Sequence, residues 1–242
     1  MHPPPSLLQS LPVDAAQASL IGRAWLPGPS GGPTPVTVRG HELIDLSMLA
    51  PTVSALLELP DVAAAVRAAP RRVLGRLDDA LAAAQAPDAL HLLAPCDLQP
   101  VKAAGVTFAA SLLERVIEEH AGGDASRAAA ARAEVLAVIG DELATLKPGS
   151  AQAAALKQML QQRGLWSQYL EVGIGPDAEV FTKAPVLSAV GSGEDIGILA
   201  ASVWNNPEPE VVLAVSSRGR IVGATLGNDV NLRDIEGRSA LL

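Results

Sequence analysis

What this chain lacks narrows it first. It holds one cysteine, Cys96, so an internal disulfide is excluded, and its neighbours suggest no metal cluster. Four histidines, at 2, 41, 91 and 120, are too dispersed for a His-based zinc site. Aromatic residues are 2% of 242, so a core must rest on Ala, Leu and Val, which the 49% hydrophobic content allows. Basic residues never run longer than Arg71-Arg72, and the formal charge is −8. That balance argues against nucleic acid or an anionic membrane as partner. No uninterrupted apolar run reaches the roughly 18 residues of a membrane span, and Met1–Ser6 has no basic n-region. The expectation is a cytoplasmic protein. Gly173-Ile174-Gly175 and Gly191-Ser192-Gly193 read as turns, without a G-x-G-x-x-G, a P-loop or a nucleophile elbow anywhere. Dinucleotide binding and Ser-His-Asp hydrolysis are therefore unsupported.

Apolar periodicity organises what is present. Ile21–Leu26, Val36–Val38 and Glu42–Leu46 read as short strands, followed by helices over Thr52–Leu59, Val62–Ala68 and Arg71–Ala84. Ala94-Pro95-Cys96-Asp97 marks a boundary, giving an N-terminal module of residues 1–95 and a second of 96–242. Leu112, Leu113, Val116 and Ile117 form the apolar stripe of a helix from Phe108 to His120, ended by Gly122-Gly123. An alanine-rich helix follows from about Ser126 to Leu146. A third is capped by Ser150 and ended by Gly164. These make a helical insertion of about 108–164 in a module otherwise rich in strands.

Three carboxylates near the end of the chain stand out. Glu208 and Glu210 lie in Asn205-Asn206-Pro207-Glu208-Pro209-Glu210, and Asp229 in Gly227-Asn228-Asp229. Between them, Val211–Val215 and Ile221–Leu226 are joined by Ser216-Ser217-Arg218-Gly219-Arg220, which reads as a β-hairpin. A two-residue loop at Arg218-Gly219 sets Ser217 opposite Arg220 and Glu208 opposite Asp229. A four-residue loop from Ser217 to Arg220 gives the same register, whereas a three-residue loop spoils it. The two-residue period then puts Glu210 on the face of Glu208. Like charges so close repel unless solvent, a raised pKa or a cation compensates. An all-oxygen donor set suits a hard ion, Mg2+ first and then Mn2+ or Ca2+. The plain alternative is three unrelated acids on an edge hairpin.

Glu114, Arg115, Glu118 and Glu119 pose a similar choice, between an acid–base cluster on a mobile helix and a solvated helix face. Lys183, at a strand end before Pro185, is either a surface charge or a binder of an anionic substrate.

Together these segments resemble the fumarylacetoacetate hydrolase family over roughly residues 95–242, and more weakly before that. The metal signature of that family is E-x-E and a later Asp in a G-N-D turn, matched here by Glu208, Glu210 and Asp229. Its hydrolase and decarboxylase members carry Tyr, His and Glu on a lid helix, where this chain has Phe108, Ser111 and Glu114. Gly105-Val106-Thr107-Phe108, the Trp166–Glu179 segment, Trp204–Glu210 and Gly227–Ser239 are similar to its sugar-acid dehydratase branch.

The resemblance implies an α+β fold: a mixed β-sandwich roll with an inserted helical lid region and a small N-terminal α/β module. It also implies that the roll continues beyond Leu242, so this chain is expected to be incomplete at its C-terminus. The implied activity is Mg2+-dependent dehydration of a 2-keto-3-deoxy-pentonate to 2,5-dioxopentanoate in a homodimer or homotetramer. Glu208, Glu210 and Asp229 would bind the metal, Glu114 would be the base and Ser111 would hydrogen-bond the departing hydroxyl. Lys183, Arg115, Phe108 and Asn228 would contact the small-molecule substrate. The alternatives are C–C hydrolysis of an acylpyruvate-like diketo acid, decarboxylation of oxaloacetate, and a non-catalytic remnant.

Overall fold

The structure is a computed structural model that describes residues 11–105, 109–139, 146–177 and 179–238. Its first hundred residues build a sheet from short connections. Strands β1 (Ile21–Leu26), β2 (Gly32–Arg39), β3 (Glu42–Asp45), β4 (Val73–Arg76) and β5 (His91–Leu93) pair in the order β4-β3-β2-β1-β5. Every pairing is antiparallel. β2 carries Pro33 and Pro35 although it lies between two neighbours. The β2–β3 ladder covers Val36–Arg39, and beyond it Leu46 N donates to Pro35 O at 2.9 Å, so Pro35 serves as an acceptor there. There, a missing N–H removes no ladder bond.

Three short helices cover this sheet. α1 (Val53–Leu56) and α2 (Val62–Ala68) start on side chains that the sequence supplies at the right place. Thr52 accepts from Ala55 N at 3.1 Å, and Asp61 from Ala64 N at 2.9 Å. At the other end of α2, Arg39 Nη2 donates to Val66 O at 2.7 Å and Ala69 O at 2.8 Å, a cation on the carbonyls of the helix end. Leu46, Leu56 and Val66 form one core cluster. Ala24, Val36 and Leu43 form another with Leu77, Ala80 and Leu81 of α3 (Leu77–Ala82).

The helix expected over Arg71–Ala84 is thus a strand followed by a helix. β3 offers an open edge, and Asp45 N donates to Arg72 O at 2.9 Å while Leu77 N donates to His41 O at 2.9 Å. Between those two bonds Val73–Arg76 pairs with β3, and the helix begins only where Asp78 and Asp79 can sit in its first turn. β5 was not anticipated at all.

The chain divides into two units. One comprises Met1–Val101 with Lys183–Gly197 and Leu213–Ala224; the other comprises Lys102–Thr182, Ile198–Val212 and Thr225–Leu242. In the second unit, α4 (Ala109–Ala121) and α5 (Ala128–Ile139) are followed by α6 (Ala151–Gln162) and α7 (Gln168–Ile174). Ser150 and Ser167 cap α6 and α7 by accepting from Ala153 N and Leu170 N, each at 3.2 Å. Leu112, Val116 and Ile117 of α4 meet Val135, Leu156, Leu160 and Leu170 in one core. The alanine-rich helix reaches Ile139; the rest of its expected span, 140–145, lies outside the described residues. β6 (Val101–Ala104) pairs with β7 (Val180–Ala184), β8 (Asn205–Asn206) with β11 (Asn231–Leu232), and β9 (Pro209–Val215) with β10 (Ile221–Asn228). α8 (Arg233–Glu236) follows β11 directly.

Asp97 ties down the first unit. Its buried carboxylate accepts from Val53 N at 2.7 Å, Ser54 N at 3.0 Å, Leu98 N at 2.7 Å and the Ser54 hydroxyl, with Arg23 Nε at 3.9 Å. Burial alone would raise its pKa, but the four donors outweigh burial and hold it below the usual value. A lowered folded pKa means this stabilisation is present above the unfolded value and is lost as pH falls through the folded one. Asp97→Asn should therefore cost about 2–3 kcal/mol at pH 7. In urea titrations its deficit against wild type should shrink as pH drops below about 4, the range where an unfolded Asp protonates. A deficit that stayed constant down to acid pH would remove Asp97 from this role.

Candidate functional site

The second unit gathers charge at one place. Arg115, on α4, sends Nη2 to both oxygens of Glu208, at 2.8 and 2.9 Å. Its Nη1 donates to Glu118 Oε2 at 3.1 Å and to Glu236 Oε2 on α8. Arg233 Nη1 stands 2.5 Å from Glu118 Oε1 and 3.7 Å from Glu114 Oε2, with its guanidinium over the Trp204 ring. Arg132, on α5, holds Glu114 in a two-pronged fork at 2.7 and 2.6 Å. The face of α4 that could have been a solvated charge pattern is not one, because Glu118 is only 2% exposed.

Local sequence explains how these side chains meet. Arg115 and Glu118 are three apart on one helix and so project from the same face. α8 reaches them because two glycines let backbones touch. A Cβ on Gly123 would lie 2.5 Å from Asp234 O, and one on Gly237 would lie 2.8 Å from Gly123 Cα. Asp234 fixes the start of α8 by accepting from Val203 N at 2.8 Å and Ser202 Oγ at 2.7 Å. Those bonds hold its carboxyl below the usual range.

The hairpin brings Glu208 in by an unexpected route. Its tip is a three-residue loop: Ser216 N donates to Arg220 O at 2.8 Å and Gly219 N to Ser216 O at 2.9 Å, with Gly219 at φ 71°. This is a turn closed by a left-handed glycine. Such a loop should misplace the acids, yet Asp229 N donates to Glu208 O at 2.9 Å and Asn231 pairs with Asn206. Glu208 lies eight residues before Ser216, and Asp229 lies nine after Arg220, so the ladder absorbs a one-residue shift between tip and base.

Glu210 does not join them. β9 begins at Pro209, so Glu208 sits before the strand and the two-residue period does not reach it; Glu210 is exposed. Among the described residues, no three His, Cys, Asp or Glu side chains are grouped so as to hold a metal ion. The carboxylate cage expected from Glu208, Glu210 and Asp229 is thus not formed in this arrangement. Glu208 spends its oxygens on Arg115 and on Asn231 Nδ2 at 2.6 Å. Asn228, expected against substrate, uses its side-chain oxygen to accept from Glu208 N at 3.0 Å. Lys183 is an exposed residue of β7, within the first unit. Phe108 and the Ser111 side chain lie outside the described residues.

Electrostatics follow from three carboxylates sharing one guanidinium. Burial pushes Glu208 above the ordinary carboxylate range; Arg115 pulls it back, and Glu236 and Asp229 push it up again. Burial raises Glu118 as well, against the pull of Arg115 and Arg233. For Arg115, burial works against the charge, but attraction to Glu236, Glu118 and Glu208 outweighs it and raises the pKa. Burial likewise raises Tyr169, whose hydroxyl points to Glu236 O. Half-buried acids with raised pKa beside fixed cations are suited to proton exchange and to seating an anion. Glu118 was already a candidate beside Glu114 and Arg115, whereas Arg132, Asn231, Arg233 and Glu236 were not foreseen as members of the cluster. Only the i, i+3 spacing of Arg115 and Glu118 hinted at part of it.

Two curated proteins are similar to part of this chain. A Haloferax volcanii protein named "Probable 2-keto-3-deoxyxylonate dehydratase" is 41% identical over 81 residues, 34% of this chain and 28% of that protein. The 2-dehydro-3-deoxy-D-arabinonate dehydratase of Saccharolobus solfataricus is 41% identical over 63 residues, 26% of this chain and 21% of that protein. The matched stretches thus span less than a third of either relative. No family model matches the chain, and no solved structure matches it.

Gly237 has φ −68°, which any residue adopts, so the obstacle to a side chain there is steric: a Cβ would lie 2.8 Å from Gly123 Cα and 2.9 Å from Arg233 O. Gly237→Ala should lower stability by about 1–3 kcal/mol through overpacking, measured by chemical unfolding. An unchanged or raised midpoint would show that α8 is not held by this contact.

Proposed function

We propose that this chain belongs to an enzyme that dehydrates a 2-keto-3-deoxy-pentonate to 2,5-dioxopentanoate. The observation that carries this reading is the 41% identity to two proteins named as dehydratases of such sugar acids. The charged cluster around Arg115 supports it, since the substrate is an anion and the reaction moves protons. A homodimer or homotetramer in the cytoplasm, with the sandwich roll of the fumarylacetoacetate hydrolase family, completes the proposal on the resemblance alone. No helix among the described residues is long and apolar enough to cross a membrane.

The reaction removes one proton from C3 and the hydroxyl from C4, releasing water. Proton shifts then convert the C4–C5 end into the aldehyde. C3 lies beside the ketone, so its proton is the acidic one, and the negative charge that develops runs onto the ketone oxygen. In this proposal Glu114 takes the C3 proton, with the Arg132 fork setting the direction of its carboxylate. Ser111 hydrogen-bonds the departing hydroxyl. On the resemblance alone, Lys183, Asn228 and Phe108 are proposed as substrate contacts; in the second unit Arg115 is proposed as another, since a guanidinium fork matches the two oxygens of a carboxylate.

Mg2+, or Mn2+ or Ca2+ in its place, is proposed for Glu208, Glu210 and Asp229, where it would act as a Lewis acid. The arrangement described above does not fit that ion. Both Glu208 oxygens are engaged by Arg115, and Glu210 is exposed. No step here is routed through the metal.

Incubation of the purified chain with 2-keto-3-deoxy-xylonate and 2-keto-3-deoxy-arabinonate should yield an aldehyde that a carbonyl-trapping assay detects. Glu114→Gln should lower that turnover about 10²–10⁴-fold if it is the base. Turnover equal to wild type in this variant would remove Glu114 from the chemistry. Pyruvate appearing from a diketo acid substrate would favour C–C cleavage instead.

A further inference from the structure

The three guanidinium groups of the cluster are not equally available. Arg115 is 11% exposed, and its Nη atoms already serve Glu208, Glu118 and Glu236. Arg233 is 13% exposed, lies over the Trp204 ring and faces Glu118. Arg132 is 46% exposed, and its fork closes on Glu114, with Nη1 on Oε1 at 2.7 Å and Nη2 on Oε2 at 2.6 Å. Two parallel N–H bonds to two carboxylate oxygens are the arrangement by which arginine recognises any carboxylate. The side chain of Glu114 therefore sits where the carboxylate of a ligand would.

We propose that Arg132 is the receptor for the substrate's carboxylate, and that Glu114 is a stand-in which the arriving sugar acid displaces. This rests on the proposed dehydration of a 2-keto-3-deoxy-pentonate and names the residue that recognises its anionic end.

The exchange is feasible for three reasons. The place of Arg132 does not depend on Glu114: Ala131 and Val135 of α5 are buried with Leu112 and Val116 of α4, so the helices stay packed when the fork opens. The pair itself is open to water on both sides, 46% and 31% exposed, and such pairs contribute little stability. Released Glu114 still has a cation, because Arg233 Nη1 is 3.7 Å from its Oε2.

The exchange also links recognition to chemistry. In the free protein both Glu114 oxygens are engaged by Arg132, and they are freed only when an anion has taken the fork. Anchor and base are then neighbours. In a 2-keto acid a single carbon separates C3 from the carboxylate, so an anchored carboxylate brings C3, rather than the far end of the chain, towards Glu114. Arg115, whose Nη2 is closed on Glu208, is left for another oxygen of the substrate.

The test uses 2-oxopentanoate, which keeps the carboxylate and ketone and has no hydroxyl to lose, with its uncharged amide as control. Binding to the whole chain is measured by equilibrium dialysis, and circular dichroism checks that each variant is folded. Wild type should bind the acid roughly tenfold tighter than the amide. Arg132→Gln should weaken binding of the acid by about tenfold, and Arg132→Lys, which keeps the charge but not the fork, by less. Glu114→Gln should bind the acid about tenfold tighter than wild type, because an attached competitor at high effective concentration is gone. In wild type labelled with 15N-arginine, the acid should move the Nε signal that Arg132→Lys lacks.

If wild type turns over a 2-keto-3-deoxy-pentonate while Arg132→Gln binds the acid as tightly as wild type, or Glu114→Gln binds it no tighter, the exchange is wrong and dehydration stands. Turnover without binding of the acid by wild type or Glu114→Gln overturns the exchange in the same way. If neither folded protein binds the acid and wild type turns over neither pentonate, the sugar-acid reading falls and this inference with it.

Discussion

One guanidinium shared among three carboxylates governs the second unit. Arg115 joins α4 to the base of the hairpin through Glu208 and to α8 through Glu236, while Glu118 takes the remaining edge. None of these links is between neighbours in sequence except the last. Taken one at a time, buried ion pairs contribute little net stability, because desolvation offsets attraction. Their effect here is to fix where elements can lie: with Arg115 discharged or removed, three acids would face one another in a poorly solvated space. The raised pKa values of Glu208 and Glu118, both burdened chiefly by burial, show how little surplus the pairing leaves.

Short elements in both units are held by the same means. α1 and α8 are four residues each, too short to persist on helical propensity. Asp97 collects the amides at the start of α1, and Asp234 collects Val203 N and Ser202 Oγ beside α8. A carboxylate that accepts several bonds replaces the core that so short a segment cannot bury. The glycine contact between Gly123 and Gly237 adds a steric version of this constraint, since it leaves no room for another packing.

Helix ends and periodic helices were legible in the sequence. Ser150 caps α6 as its side chain predicted, and Val62–Ala68 is a helix over the expected residues. The misreading at Arg71–Ala84 has a physical cause: a four-residue strand is decided by the partner edge it meets, which leaves no periodic trace. The pairing of Glu208 with Asp229 could be counted from the hairpin, though the count took a two- or four-residue loop where the chain has three. The arginine network could not be counted at all. Arg115 and Glu236 are far apart in sequence, and nothing local to Arg233 or Asn231 distinguishes a buried partner from a surface residue.

The one-residue shift in the hairpin ladder has a consequence for how this chain tolerates change. In a hairpin with uniform pairing, altering the loop by one residue flips every side chain below it to the other face. Here the tip and the base keep registers that differ by one residue. A two-residue loop without the shift and a three-residue loop with it deliver the same opposition of Glu208 and Asp229. The opposition of Glu208 and Asp229 is therefore not set by loop length alone, but by loop length and ladder offset together.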